Sequence, residues 1–340
     1  MEGMASFYLA SRILGADSNL VQAMGGNTSF KVNGDLFVKA SGTRLDEANE
    51  ETFVQLSLMH CVNCLNDASL SLDDGLQGEK TNRRPSIETS LHAILPHPYV
   101  AHVHAVNSIA VSLQPDLNSA VSNALEGLAW GRLPYSKPGA DLASLIHGIQ
   151  EQQSVDVFLL ENHGLVVGAR SPGDMVNLVH DVESRLTALV RRTSIQLPDV
   201  AKLSAVSQTL AGFSPVNNIR VHSMAFDQIA LDALRCGTLY PDHAILLGPG
   251  VVVAEDNQSL AAIIDREQQA CRALIHTVVV PGEGVLIRDA LPKASHEMLN
   301  CLADVTLRLQ SADNLRALTR EQVHVLINWE AERYRLTQLT

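Results

Sequence analysis

The feature that most constrains this chain is a pair of short apolar runs that each deliver histidine. The first, Val100 to Val106, reads Val-Ala-His-Val-His-Ala-Val. The second, Val155 to Leu160, leads straight into Glu161, Asn162, His163 and Gly164. On a strand, residues two apart project to the same face, so His102 and His104 emerge side by side. Two imidazoles from one strand and a third from another are what a three-nitrogen catalytic metal site requires, with a coordination position left for substrate. The ordinary alternative, buried histidines donating to backbone carbonyls, accounts for an isolated His-x-His pair and is weakened by the second motif.

The 340 residues suffice for one large domain or two ordinary ones, and at 46% hydrophobic and 18% charged the composition is that of a soluble globular protein. A net charge of −12, with basic residues scattered singly or in pairs, argues against nucleic acid or an anionic membrane as partner. No apolar stretch approaches the roughly 20 residues of a membrane span. Met1 to Leu14 lacks a basic start followed by an apolar core, so no signal peptide is expected. Five cysteines are an odd number in a chain too large to need disulfides, which fits a reducing, cytoplasmic setting. Cys61 and Cys64 form a lone C-x-x-C within a helical pattern, with no second pair to complete a metal site.

Strands interleaved with helices, with hairpins among them, predict an α/β layer structure. Asn33-Gly34-Asp35 between two alternating segments, Ser29 to Val32 and Leu36 to Ala40, predicts a tight hairpin. Helices are expected over 5–24, 51–65, 87–95, 107–113, 141–153 and 173–193, and a polar loop over 66–84. A linker is expected over 194–215. Beyond it come strands at 218–222, 244–247, 251–254, 278–280 and 285–287, helices at 226–235 and 258–276, and two closing helices. A faint internal echo pairs Phe158 to Leu160, Gly164 to Val167 and Asp181/Glu183 with Ile245 to Leu247, Gly250 to Val253 and Asp265/Glu267. Gly248-Pro249-Gly250 lacks the third glycine of a dinucleotide fingerprint, so no nicotinamide site is expected there.

Taken in order, Gly26 to Ser29, Ser41 to Thr43, Arg84 to Glu88, His102 and His104, Pro134-Tyr135 and Glu161 to Gly164 resemble the class II aldolase/adducin family. That family includes fuculose- and rhamnulose-phosphate aldolases and ribulose-5-phosphate 4-epimerase. The Gly-Gly-Asn-Thr-Ser and Pro-Ser-Ile-Glu forms look most like the aldolase part of bifunctional rhamnulose-phosphate aldolase/dehydrogenases. The resemblance covers about residues 1–200. The rest is similar only to the tail of that aldolase half, and no counterpart of the dehydrogenase is expected.

The resemblance implies a three-layer α/β/α domain with a central, mostly antiparallel sheet over residues 1–205, and a smaller C-terminal α/β domain of open role over 211–340. It implies that His102, His104 and His163 hold a divalent metal, usually zinc, and that Glu88 is both a ligand at rest and the proton acceptor. It implies that Tyr135 protonates the leaving aldehyde oxygen from a neighbouring subunit of a homo-oligomer, a cyclic tetramer in the simple aldolases. Asn27, Ser41, Gly42 and Ser86 fall where the family binds a substrate phosphate. One departure is Ile87, where the simple aldolases carry a second serine.

The implied function is a metal-dependent lyase that cleaves or forms a carbon–carbon bond in a small sugar phosphate or hydroxy-acid, through an enediolate that the cation stabilises. The same site could serve a decarboxylase or a 4-epimerase, although the epimerases tend to carry Asp where this chain has Glu88. An adducin-like scaffold is the reading from another class, and members of that kind lose the metal histidines that this chain keeps.

Overall fold

The computed structural model describes residues 2–67, 69–77, 83–254 and 259–338. The first half runs α1 (Glu2–Ala16), β1 (Asn27–Val32), β2 (Asp35–Lys39), β3 (Phe53–Ser57), α2 (Leu58–Asn66), α3 (Thr89–Ile94), β4 (Tyr99–Val103) and α4 (Val106–Ser112). It continues through α5 (Asn118–Ala124), β5 (Trp130–Leu133), α6 (Ala140–Gln150), β6 (Val157–Leu160), β7 (Gly164–Ala169) and α7 (Pro172–Leu186).

Its seven strands form one sheet in the order β3-β2-β1-β4-β7-β6-β5. Every pairing is antiparallel except β5 with β6. The β1–β2 turn is the two-residue loop that its sequence predicts. Asn33 and Gly34 hold φ of 53° and 86°, a left-handed pair that Asn and Gly tolerate and that matches strand twist.

The central strands are buried on both faces, and their alternate residues divide between two cores. Ala101, Val103, Val157, Leu159, Leu165 and Val167 pack with α1, α5 and α7. Val100, Phe158, Leu160 and Val166 pack with α3 and α6 on the other side, where α2 covers β2 and β3. The result is the three-layer α/β/α arrangement with a mostly antiparallel sheet. His102, two residues from Val100, therefore lies on the α3 side.

The second half comprises α8 (Val200–Thr209), β8 (Phe213–Pro215), α9 (Ile219–His222), α10 (Gln228–Arg235), α11 (Pro241–Leu247) and β9 (Val252–Val253). After these come α12 (Leu260–Cys271), β10 (Thr277–Val280), β11 (Gly284–Arg288), α13 (Lys293–Thr306), α14 (Arg320–Asn328) and α15 (Glu330–Thr337). A four-stranded sheet, β8-β11-β10-β9, forms this smaller α/β unit. Its core is continuous with the first half: Ala23, the buried face of α4 (Val106, Ile109, Ala110) and Leu113 just past it pack among residues of α9, α10, α11 and α13. No helix among the described residues is long and apolar enough to cross a membrane.

Several expectations are corrected. The segment read as one helix over 51–65 is a strand, β3, followed by α2. The expected strands at 218–222 and 244–247 are the helices α9 and α11, opened respectively by Asn218, whose side chain accepts the Arg220 amide, and by Pro241. The 194–215 linker contains α8 and β8, which pack onto the second sheet. The internal echo fails at Ile245 to Leu247, since these are helical. A closer likeness joins β6–β7 to β10–β11: each is a four-residue buried strand, a three-residue turn, and a glycine (Gly164, Gly284) at φ of 145° or 149° opening the next strand. Glu283 stands in the second hairpin where His163 stands in the first. Part of the expected 66–84 loop, residues 68 and 78–82, lies outside the described residues.

Candidate metal centre

Strand β4 supplies His102 and, immediately past its end, His104, while the β6–β7 turn supplies His163. Gly164 allows this convergence. A Cβ there would lie 2.3 Å from the Val103 carbonyl oxygen and 3.0 Å from the His104 Cα, so only glycine lets the turn approach the end of β4 so closely. All three histidines are buried, and one ring nitrogen from each falls within 4.8 Å of the others. The Nε2 atoms of His102 and His104 are 3.1 Å apart.

Glu88 enters from the N-cap of α3. The chain is led there by a bridge between Ala40 and Pro85 and by the Ser86 amide donating to Lys39 O at 3.1 Å. Its carboxylate lies 3.4 Å from His102 Nε2 and 3.7 Å from His163 Nε2. Asn27 Nδ2 donates to Glu88 Oε2 at 2.8 Å, and Oε1 is buried with no hydrogen-bond partner. Burial alone would raise the Glu88 pKa, but the flanking histidines and Asn27 outweigh it and hold the carboxyl well below the usual range. Burial pushes His163 down to about 3 and lowers His102 as well. Three imidazole nitrogens converging beside an ionised carboxylate with an unpartnered oxygen are a donor set that fits a divalent cation.

The rings are also held from behind. His102 Nδ1 donates to Leu165 O at 3.1 Å, and His104 Nδ1 lies 3.0 Å from Asp242 Oδ2 on α11. His92, fully buried on α3, bonds to Ser29 Oγ at 2.7 Å and to Asn27 Oδ1. Both ends of the Asn27 amide are therefore engaged inside the protein.

A cavity of about 40 Å³ adjoins the centre. Asn27, Ser41, Gly42, Ser86, Glu88, His104 and His163 all line it, and His102 lies wholly buried behind them against His104 and Glu88, so of the predicted residues only Tyr135 stands apart. Tyr135 is not among the lining residues; it packs against Ala244, Leu318, Val323 and Leu326. Burial raises its hydroxyl to about 12.

Sequence reasoning missed Lys39, Asp242, Glu332 and Arg335, which also line the cavity. Lys39 carried a signal: a lysine at the end of an alternating strand, directly before the Ala40-Ser41-Gly42 turn. Its amine donates to Met24 O at 2.9 Å, and burial first, then the Arg335 charge, brings it down to about 7 against the opposing pull of Asp242 and Glu88. Asp242 and Arg335 carried none, being 138 and 231 residues from His104 in sequence (242 − 104 and 335 − 104).

Residues 6–190, more than half of the chain, match the family model described as class II aldolase and adducin N-terminal domain. Among curated proteins, the uncharacterized oxidoreductase YuxG of Bacillus subtilis (strain 168) is 24% identical over 242 residues, which are 63% of this chain and 34% of that protein. The chain thus spans about a third of the length of that relative. Among solved structures, the N-terminal class II aldolase domain of a conserved protein from Thermoplasma acidophilum is 26% identical, with a TM-score of 0.49 over 55% of this chain and 92% of that one. L-Fuculose-1-phosphate aldolase from Thermus thermophilus is 18% identical, with a TM-score of 0.41 over 55% of this chain and 91% of that one.

Proposed function

This chain belongs to the class II aldolase and adducin family, and from that premise we propose that it is a metal-dependent lyase, making or breaking a carbon–carbon bond in a small sugar phosphate or hydroxy-acid. The observation that carries the reading is Glu88: buried, ionised, fixed through Oε2 by Asn27, and left with Oε1 unpartnered beside two of the three histidines. In this reading His102, His104, His163 and, in the absence of substrate, Glu88 hold the cation, with zinc the first choice for a site rich in imidazole. When bound, the cation supplies Lewis-acid stabilisation of the negative charge that develops on substrate oxygen.

The chain's own groups do the rest. Glu88 Oε1 takes the proton from a substrate carbon or hydroxyl, and Asn27 keeps the carboxylate aimed while it does so. Because both ends of the Asn27 amide are engaged, its part is to hold Glu88 rather than to grip a phosphate. An anionic group on the substrate would meet Ser41, Gly42 and Ser86, with the Lys39 amine close by. Proton donation by Tyr135 belongs to an oligomer in which a second subunit brings that hydroxyl to the site. Residues 1–205 form the metal-carrying domain in this reading, and 211–340 the unit packed against it.

Ile87 lines the cavity and favours a second reading, an unphosphorylated hydroxy-acid or a decarboxylation, because an apolar side chain there removes a donor that a phosphate would use. The test is exchange of the hydroxymethyl protons of dihydroxyacetone phosphate, followed by NMR in deuterated water with zinc-loaded protein. Stereospecific exchange supports the lyase and a phosphate-accepting site. A protein that holds its metal yet exchanges nothing removes the phosphorylated donor and leaves the second reading.

A further inference from the structure

We infer that Asp242 is a positioning residue of the metal centre, fixing the His104 ring so that its Nε2 faces the other two histidines, and that Arg335 fixes Asp242 in turn. The centre would then be completed by the half of the chain that lies outside the matched family domain. The inference rests on the proposal that the three histidines hold a cation.

The geometry forms a chain of contacts. His104 Nδ1 is 3.0 Å from Asp242 Oδ2, and both atoms are buried. A carboxylate can only accept here, so Nδ1 carries the proton and the lone pair falls on Nε2, the atom 3.1 Å from His102 Nε2. Asp242 is gripped from its other side by Arg335 of α15, whose two terminal nitrogens donate to its two oxygens at 2.8 and 3.1 Å. This two-pronged geometry holds a carboxylate in position as well as neutralising it. Glu332, one turn earlier on α15, accepts from the same guanidinium at 3.2 Å.

Gly25 leaves room for the pair. A Cβ there would sit 2.8 Å from His104 Nδ1 and 3.0 Å from Asp242 Oδ2, wedging between them. The other histidine with a defined rear contact, His102, uses the Leu165 carbonyl instead. His104 is thus the ligand backed by a full negative charge, and that charge comes from the second half of the chain. A carboxylate behind a ligating imidazole raises its basicity and holds its orientation, and removing such a partner typically lowers metal affinity 10–100-fold.

The test compares zinc affinity, by competition with a chromophoric chelator, in wild-type protein and in Asp242→Asn, Asp242→Asn/Arg335→Met and His104→Ala variants. The double variant guards against misfolding, since it removes the buried guanidinium that Asp242→Asn would leave with the Glu332 carboxylate in place of two carboxylate partners. The expected result is a roughly 10–100-fold weaker Kd in both Asp242 variants, an altered visible spectrum of the cobalt-substituted protein, and unchanged far-ultraviolet circular dichroism. Zinc affinity within about threefold of wild type in a folded Asp242 variant, with His104→Ala losing the metal, overturns the inference alone. Retention of zinc by His104→Ala overturns the metal site beneath it. A measurement on the unaltered zinc-loaded protein needs no variant to fold: histidine nitrogen spectra should show His104 protonated at Nδ1, and protonation at Nε2 would overturn the inference.

Discussion

Glu88 and Lys39 are both buried ionisable groups in one small space, yet the cost of burial is overcome in the first and prevails in the second. For Glu88 the histidines and Asn27 outweigh burial, whereas for Lys39 burial and the Arg335 charge outweigh the pull of Asp242 and Glu88. For Glu88 the consequence is catalytic. Glu88→Gln should keep the metal but lose turnover by about 10²–10⁴-fold, the usual worth of a placed proton acceptor, whereas His104→Ala should lose metal and turnover together. Metal analysis of dialysed protein beside initial rates separates the two, and full activity in either variant would discard the assignment. For Lys39 the consequence is a pH dependence. Its folded-state pKa of about 7 lies below the roughly 10.4 of an unfolded lysine, so between these values the unfolded chain binds the extra proton and stability rises with pH. Below about 7 both states are protonated and the full cost of burying the charge is present. A Lys39→Met variant should therefore gain most over wild type near pH 6 and least near pH 10, read from urea midpoints across that range. A difference that stayed constant with pH would show that the amine is not the buried titrating group.

At the scale of elements, α4 shows how the site is held from a distance. It begins two residues after His104, and its N-cap, Ala105, has no side chain to offer. The work is done by Glu183 of α7, which accepts the amides of Asn107 and Ser108 at 3.1 and 2.9 Å and the Ser108 hydroxyl at 2.5 Å. Glu183→Ala leaves those donors buried and unpaired, so a loss of about 2–3 kcal/mol is expected, measurable by chemical denaturation; a loss under about 0.5 kcal/mol would mean that water replaces the cap. Such a contact joins residues 75 or 76 apart, which no local pattern reveals. What the sequence did reveal at this scale was strand chemistry with a distinctive end: β4 is an apolar run carrying His102 with His104 just past its end, β6 is an apolar run with His163 three residues beyond it, and Asn33-Gly34 names its own turn. The errors fall where patterns are ambiguous. Phe53, Val54, Leu56 and Leu58 satisfy strand and helix periodicities alike, and β3 was absorbed into the helix that follows it. Ile245 to Leu247 is buried on every side, so it shows no periodicity, and only Pro241 before it and Gly248 after it mark it as helical.

For the molecule as a whole, the residues of the first-half site were legible because the family's motifs are contiguous, while Asp242, Glu332 and Arg335 were not, because folding alone brings them to the cavity. Their arrival has a consequence for access. The cavity of about 40 Å³ holds about three waters on the scale where one needs 10–15 Å³, too little for a phosphorylated three-carbon donor. Helix α15 closes one side of it through Glu332 and Arg335. Gln338, just past α15, presses on Gly42, where a Cβ would meet its side chain at 2.6 Å. Arg84 pairs with Glu330 at 2.7 Å and lies 4.4 Å over the Tyr334 ring, while Lys137 sits 4.0 Å over Trp329. The Arg84–Glu330 pair is exposed and readily exchanged for water, so a shift of α15 that enlarges the cavity would pivot about Arg335, whose grip on Asp242 is the buried contact. Substrate binding should therefore move α15, and Trp329 reports it: the chain has 2 tryptophans, so a Trp130→Phe variant leaves Trp329 alone. Its emission should shift to longer wavelength, as the ring leaves Lys137 and Gly139, on titration with a donor that the protein is shown to deprotonate. An emission spectrum unmoved at saturating donor would mean that substrate enters by another wall of the cavity, with α15 fixed in place.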